Sequence, residues 1–406
     1  MTNKWLSALV SGLTYMKTEF DVVIVGAGMI GAAVALGLAQ QGREIGLLEA
    51  QAPASFAPEQ PVDLRLSAIN VASERLLSEL GVWPAVLSMR ATPYQQLATW
   101  EREGHEVHFD SAALQLPHLG HIVENRVLQL ALWQALQQLP NVHWLSAGKP
   151  LQIQQTSTQV QLIVAQQRYS AALLLGCDGA QSQVRQQVHI GLTGWQYRHH
   201  CLVMNVATAL PQQAITWQRF YPSGPRAMLP LPGAQASLVW YDSPERIAAL
   251  MQLSLAQLSA EAMHNFPARL GEIEVMERAS FPLVRQHAQR YFQGRVGLLG
   301  DAAHTINPLA GQGVNLGFKD VAAFLALCAG ASNEALAQQG GHTIFARYEQ
   351  QRRGDNLRMQ SAMDLFYMLF SHSRWPVSAL RNLGLYAAER SGPIKTQLMR
   401  HAIGLL

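Results

Sequence analysis

Hydrophobic residues fall in blocks along this chain, and the blocks alternate in kind. Phe20 to Val25 is apolar and β-branched without polar alternation, which predicts a strand buried on both faces of a parallel sheet. Met29 to Gln41 is rich in Ala and Leu and predicts a helix that Gly42 ends. Glu44 to Leu48 predicts a second buried strand, so the three blocks form a β-α-β unit. From Leu173 an apolar strand meets Cys177-Asp178-Gly179, and Ser182 is placed to cap a helix carrying Arg185. Arg295 to Leu299 predicts another strand, closed by Gly300-Asp301 and followed by a Pro- and Gly-rich loop and a helix from near Val314. Between these, "CLVMNVATAL", "AMLPLP" and "ASLVWYD" have the pattern of strands in a separate sheet. Residues 346–406 have a helical pattern broken at Pro376. The fold class this predicts is α/β.

The turn between the first strand and helix holds Gly26, Gly28 and Gly31 in the spacing G-x-G-x-x-G. In a Rossmann-like unit the first glycine permits the tight turn, the second lets the backbone approach a pyrophosphate, and the third lets the helix pack against the strand. The N–H groups and the dipole at the helix start favour phosphate. Glu49 ends the second strand, where a carboxylate can accept hydrogen bonds from an adenosine ribose and disfavours the extra phosphate of NADP. This unit alone does not separate FAD from NAD. Asp301, at another strand end, can accept a hydrogen bond from a polyol chain. The helix start fed by Gly311 and Gly313 points N–H groups at an anion, such as the charged pyrimidine ring of a reduced flavin. "GQGVNLG" is not a second dinucleotide turn, because Gly317 falls one residue late and no buried strand runs into it. A nicotinamide taking part would have no Rossmann domain of its own.

Composition narrows the field. A length of 406 residues predicts two or more interlocked domains, and 49% hydrophobic with 14% charged residues is globular rather than disordered. A net charge of +3 and no dense Lys/Arg run exclude an argument for nucleic acid. Cys177, Cys201 and Cys328 form no C-x-x-C pair, which fits a reducing compartment and gives no metal site. No apolar run is long enough to cross a bilayer. The leader before Met16 weakly resembles a signal peptide but lacks a clear cleavage site, and is read as an extension or a misplaced start.

The glycine turn, the Asp178-Gly179 segment and the Gly300-Asp301 segment, in this order, resemble the FAD-dependent aromatic-ring hydroxylases with the para-hydroxybenzoate hydroxylase fold. Within that family "GDAAHTINPLAGQGVNLGFKD", "DLRLSAIN" and "NRVLQLALWQAL" resemble the ubiquinone-biosynthesis branch. "WQY", "SLVWYDSP", "MDLFY" and "RNLGL" are similar to those members that act on a demethoxyubiquinol ring. Cys177 departs from the Ala more usual at its position. The resemblance implies a monooxygenase that hydroxylates the ring of a polyprenylated benzoquinol through a flavin hydroperoxide, with NADPH or NADH as transient reductant and molecular oxygen as co-substrate. It implies non-covalent FAD held by Gly26, Gly28, Gly31, Glu49, Arg65, Arg126, Asp178, Gly179, Asp301, Pro308, Gly311, Gly313 and Asn315. Arg65 and Arg126 keep the alternative of surface ion pairs. His304 is the candidate to position or deprotonate the phenol, against the alternative of a histidine that packs the loop.

The implied organisation is an FAD domain of 20–80, 119–190 and 288–345 after an extension of 1–19, a substrate domain of 81–118 and 191–287, and a helical tail of 346–406. The implied location is cytoplasmic or peripheral on the inner membrane, with a membrane surface and other quinone-biosynthesis enzymes as partners. The apolar run Leu365 to Phe370, followed by His372, Arg374 and Trp375, is a candidate membrane-facing element; the alternative is that Leu365, Phe366, Leu369 and Phe370 pack the tail on to the FAD domain. Two rivals remain: a flavin oxidoreductase without oxygen insertion, and a non-catalytic subunit that keeps FAD. The ring position and polyprenyl length are open, and a sister hydroxylase would share every FAD motif.

Overall fold

In the computed structural model the described residues are 17–146, 148, 151–211, 214–307, 311, 313–332, 336, 341–370, 382, 384, 386 and 389–405. The leader before Lys17, Pro308 and the segment with His372, Arg374, Trp375 and Pro376 lie outside them.

The unbroken apolar blocks pair as the sequence predicts. Strand β1 (Glu19–Val25), helix α1 (Met29–Gln40) and strand β2 (Ile45–Leu48) form the first β-α-β unit. Within their eight-stranded sheet, Val296–Leu298, Gln167–Gly176, β1, β2 and Val142–Leu145 pair in parallel in that order, and Phe292–Gln293, Val160–Val164 and Leu151–Gln155 add antiparallel strands. Parallel strands are covered on both faces, which is why Val22, Val23, Ile24 and Leu173 to Leu175 are all buried. The register puts Leu48, Val25, Gly176 and Leu298 in one row across the sheet. The residues that follow them, Gly26, Glu49, Cys177-Asp178 and Leu299-Gly300-Asp301, therefore emerge along one carboxyl edge.

A second sheet of eight strands contains two long strands, Leu192–Thr208 and Ile273–Ala288, which run antiparallel over most of their length. One of its faces packs against helices Pro244–Gln252 and Leu255–Asn265 around Trp100, Trp217 and Trp240. The short strand His304–Thr305 pairs with Ile273–Ala288 three residues after Asp301, so the second sheet is hydrogen-bonded to the loop that leaves the carboxyl edge. A third sheet joins Leu66–Asn70, Gly120–Glu124 and Thr92–Tyr94.

Packing draws two boundaries differently from the sequence pattern. Val82, Trp83 and Val86 belong to the core around the parallel sheet, although residues from 81 were expected in the substrate domain. The segment forms a short helix, Trp83–Met89, whose apolar face has its partners on that side. The helix His342–Phe370 opens the helical C-terminal region and starts four residues before the expected boundary. Phe345 and Tyr348 are fully buried in the first core, and Met363 and Tyr367 cover Tyr197, Cys201 and Tyr241 of the second sheet. Arg285 and Asp364 pair at 3.0 Å beside the Tyr197–Asp364 hydrogen bond, so the helix bridges the two sheets. Among the described residues no helix is long and apolar enough to cross a membrane.

Candidate active site

The glycine turn shows what each position must be. Gly26 has φ +96, and a Cβ there would meet the Cys177 carbonyl oxygen at 2.5 Å. A Cβ on Gly31 would sit 1.8 Å from the Gly26 carbonyl oxygen, so only glycine lets α1 come this close to the strand end. At Gly28 the added atom would meet nothing within 4 Å, which leaves open space in front of the helix N-terminus. The N-cap residue is Gly28, no side chain caps the helix, and no acidic residue lies in its first turn. Its first N–H groups thus have no protein carboxylate to satisfy them, as a site for an anion requires.

The peptide of Ala27 is fixed from three directions. Its N–H donates to Glu49 Oε2 at 2.7 Å, and its carbonyl accepts from Gln129 Nε2 at 2.9 Å and Trp133 Nε1 at 2.8 Å. Gln129 and Trp133 were missed as site residues, yet they lie four apart on one face of the helix Asn125–Leu136. Glu49 Oε1 also accepts from the N–H groups of Ala50 and Gln51, which orients the carboxylate at the end of β2.

Asp178 Oδ2 accepts from the N–H groups of Gln183 and Val184 at 2.7 and 3.1 Å, capping the short helix beyond it. Its Oδ1 is buried without a partner, an oxygen left for a donor outside the chain. Gly179 has φ +78 with open space beside it. Arg185, buried in this loop, donates to the carbonyls of Ala302 and Ala180 and so ties the Asp178 loop to the Asp301 loop.

Asp301 opens on to the carboxyl edge. The mass of protein around it raises its carboxyl above the usual value, and His304 lowers it in part. Behind it lies a buried charge cluster. His304, 1% exposed, places Nε2 at 2.5 Å from Asp320 Oδ2. Asp320 also accepts from Arg352 Nε at 2.9 Å, Asn356 Nδ2 at 3.1 Å and the Gly300 N–H at 3.2 Å. Burial alone would raise the Asp320 carboxyl, but His304 and Arg352 outweigh it and hold it at about 2. His304 is therefore corrected from a candidate base facing the phenol to the loop-packing alternative: its ring is inside, bound to a carboxylate that is itself inside. Asp320, Arg352 and Asn356 carried no local motif and were missed.

The remaining candidates separate into open and committed groups. Arg65 is exposed, and its guanidinium has no partner among the described residues. Arg126 instead makes a bidentate pair with Asp63, at 2.8 and 2.7 Å, which is the ion-pair alternative. Asn315 is buried, with Oδ1 accepting from the Asn70 N–H and Ser73 Oγ and Nδ2 donating to Ala68 O at 2.8 Å. Its amide sews the helix Gly313–Ala329 to the strand after Arg65 and is not free to reach a ligand. Gly311 approaches Ala68 so closely that a Cβ would lie 3.2 Å from that side chain, and Gly313 begins a helix with no acidic residue in its first turn.

Taken together, one edge presents an uncapped helix start and the carboxylates of Glu49, Asp178 and Asp301 at successive strand ends. These residues fit a dinucleotide with a flavin end. A sequence profile described as an FAD binding domain matches residues 19–362. The chain belongs to this family. It is 47% identical to the 3-demethoxyubiquinol 3-hydroxylase of Escherichia coli K12, over 97% of this chain and 100% of that one. It is 34% identical to the ubiquinone hydroxylase UbiL of Rhodospirillum rubrum, over 95% and 90% of the two chains. Among solved structures, p-nitrophenol 4-monooxygenase PnpA from Pseudomonas putida superposes with a TM-score of 0.74 at 19% identity, covering 96% of this chain and 98% of that one, which shows a shared fold.

Two outcomes test the site. Asp301→Ala should weaken FAD binding at least tenfold in a flavin titration, since a hydrogen bond to a charged group is worth about 1.5–3 kcal/mol; unchanged affinity removes Asp301 from the site. Asp320→Asn should cost about 3–5 kcal/mol in urea unfolding at neutral pH, because it leaves the Arg352 guanidinium buried without its counter-charge. The Asp320 contribution is complete above the ordinary carboxyl value of 3.8 and is lost as pH falls towards about 2, so the gap between wild type and variant should close in acid. A gap that does not change with pH would sink this account of the cluster.

Proposed function

We propose that the protein is an FAD-dependent monooxygenase that hydroxylates the ring of a polyprenylated benzoquinol, a demethoxyubiquinol, in ubiquinone biosynthesis. What carries this reading is the 47% identity with the demethoxyubiquinol hydroxylase over 100% of that protein's length, since it spans both the FAD domain and the sheet that faces it. Bound FAD, reduced by NADPH or NADH, supplies the activation of molecular oxygen. The chain's residues bind and orient. The α1 start takes the pyrophosphate, Glu49 the ribose, Asp301 the ribityl chain, and the helix from Gly313 stabilises negative charge on the ring system. Arg65, exposed and with no guanidinium partner among the described residues, would meet FAD oxygens or phosphates. Asp178 and Gly179 lie beside the region a nicotinamide would visit.

The ring-binding surface is the face of the second sheet turned away from its tryptophan core. On it Val203 and Val239 are half-buried neighbours, with Asn205 towards one end and Tyr241, hydrogen-bonded to Asn307 at 3.4 Å, towards the other. Asn205 Oδ1 and Asn307 Nδ2 are both buried without partners, a polar acceptor and donor suited to quinol oxygens around an apolar floor. Closing this space would hold the ring near the flavin and exclude water. Deleting the gene should therefore accumulate a demethoxy quinone intermediate with its polyprenyl tail intact, read by mass spectrometry. An intermediate with fewer ring oxygens would assign the protein to a sister step.

A substrate with a polyprenyl tail stays in the bilayer, and the end of the long helix supplies a surface for it. Leu365, Phe366, Met368 and Leu369 are 38–54% exposed at positions that share one helical face. Phe370 does not join them. It stacks on Phe220 at 3.8 Å and is buried, so this residue packs, but against the end of a second-sheet strand and not on the FAD domain. Replacing Leu365, Phe366 and Met368 with Ser should reduce liposome binding and turnover of long-tailed quinol while sparing a short-tailed analogue and thermal stability. Equal loss on both substrates, with liposome binding intact, would rule the surface out.

A further inference from the structure

Away from the carboxyl edge, three ligand-type side chains converge on one point. Glu74 lies in the first turn of the helix Val71–Glu79, His118 on the loop before the strand Gly120–Glu124, and His121 within that strand. Glu74 Oε2 is 2.8 Å from His118 Nε2 and 3.2 Å from His121 Nδ1, and the three ligand atoms lie within 4.8 Å of one another. The imidazole rings of His118 and His121 stand 4.3 Å apart, and Trp83 meets His121 edge-on at 5.1 Å, which closes the inner side.

His121 Nδ1 is the atom that points beyond a simple hydrogen-bonded group. The side chain is 5% exposed, and this nitrogen is buried without a hydrogen-bond partner although a carboxylate oxygen stands nearby. A buried imidazole nitrogen left unpaired is costly. One close to a carboxylate but outside hydrogen-bond alignment is arranged as a neighbour on a shared ion. Two ligand atoms held tetrahedrally by zinc are about 3.4 Å apart, given bond lengths of about 2.0–2.2 Å. The 3.2 Å spacing is already near that value, and the 2.8 Å one reaches it by a small turn of the partly exposed His118 ring.

We propose that Glu74, His118 and His121 bind a divalent transition ion of the zinc type, with water completing the coordination. Two imidazoles and one carboxylate are a donor set for such an ion, and the partial exposure of Glu74 and His118 leaves a way in. The ion pins the helix Val71–Glu79 to the strand Gly120–Glu124. That helix also holds the Ser73–Asn315 bond, and that strand pairs with Leu66–Asn70 next to Arg65, so the ion staples the support of one side of the FAD site.

The test uses the full-length FAD-loaded protein, stripped with a chelator, dialysed against zinc(II), desalted, and read by elemental analysis and by thermal melting. Wild type should retain a single zinc per chain and melt higher with zinc than without, as binding to the native state alone requires. Glu74→Gln and His118→Gln should each lose the zinc and the melting shift while keeping FAD. If Glu74→Gln does not fold, His118→Gln decides alone, because that side chain is partly exposed. A wild-type protein that retains no zinc, or a His118→Gln variant that keeps the zinc and its melting shift, overturns the site.

Discussion

The close approach of helix α1 to the end of β1 is the constraint on which the rest of the site depends. A Cβ on Gly31 would lie 1.8 Å from the Gly26 carbonyl oxygen, so any larger residue would push the helix away. With glycine there, the helix start lies directly over the carboxyl edge of the parallel sheet. The row Leu48, Val25, Gly176 and Leu298 then brings Glu49, Asp178 and Asp301 to the same edge. The Ala27 peptide, held by Glu49, Gln129 and Trp133, keeps the turn in that shape from outside.

A buried charge holds the opposite side of the edge. Asp320 links the Gly300 N–H and His304 of the Asp301 loop to Arg352 and Asn356 of the helix His342–Phe370. An ionised carboxylate in the interior is tolerated only because each of its oxygens has donors and one of the partners is the Arg352 guanidinium. The reward is positional: the Asp301 loop is set by the same group that anchors the long helix His342–Phe370. Since that helix also packs on the second sheet through Asp364 and Tyr367, the carboxyl edge and the second sheet are fixed relative to each other by one element.

The division of labour between the two sheets follows from their burial. The parallel sheet is covered on both faces and offers only its edge, so it binds by backbone and by residues that follow strand ends. The second sheet is covered by its tryptophan core on one face, and on the other Val203 and Val239 pack with Tyr197, Tyr241, Met363 and Tyr367.

The sequence by itself determined the local parts: the β-α-β unit, the glycine turn with Glu49, the Asp178 and Asp301 strand ends, and the family these imply. Each of those depends on residues close in the chain, where periodicity and glycine placement act directly. What only the tertiary structure decided was which polar groups remain free. Arg65 is open while Arg126 is spent on Asp63, 63 residues away; Asn315 is consumed by Asn70 and Ser73; and His304 turns inward to Asp320. The same holds for the tail, where Phe370 packs on Phe220 while its neighbours stay exposed, and for Glu74, His118 and His121, whose meeting no spacing announces. A side chain's partners are set by which segments the core brings together. Apolar burial fixes that arrangement without regard to distance along the chain.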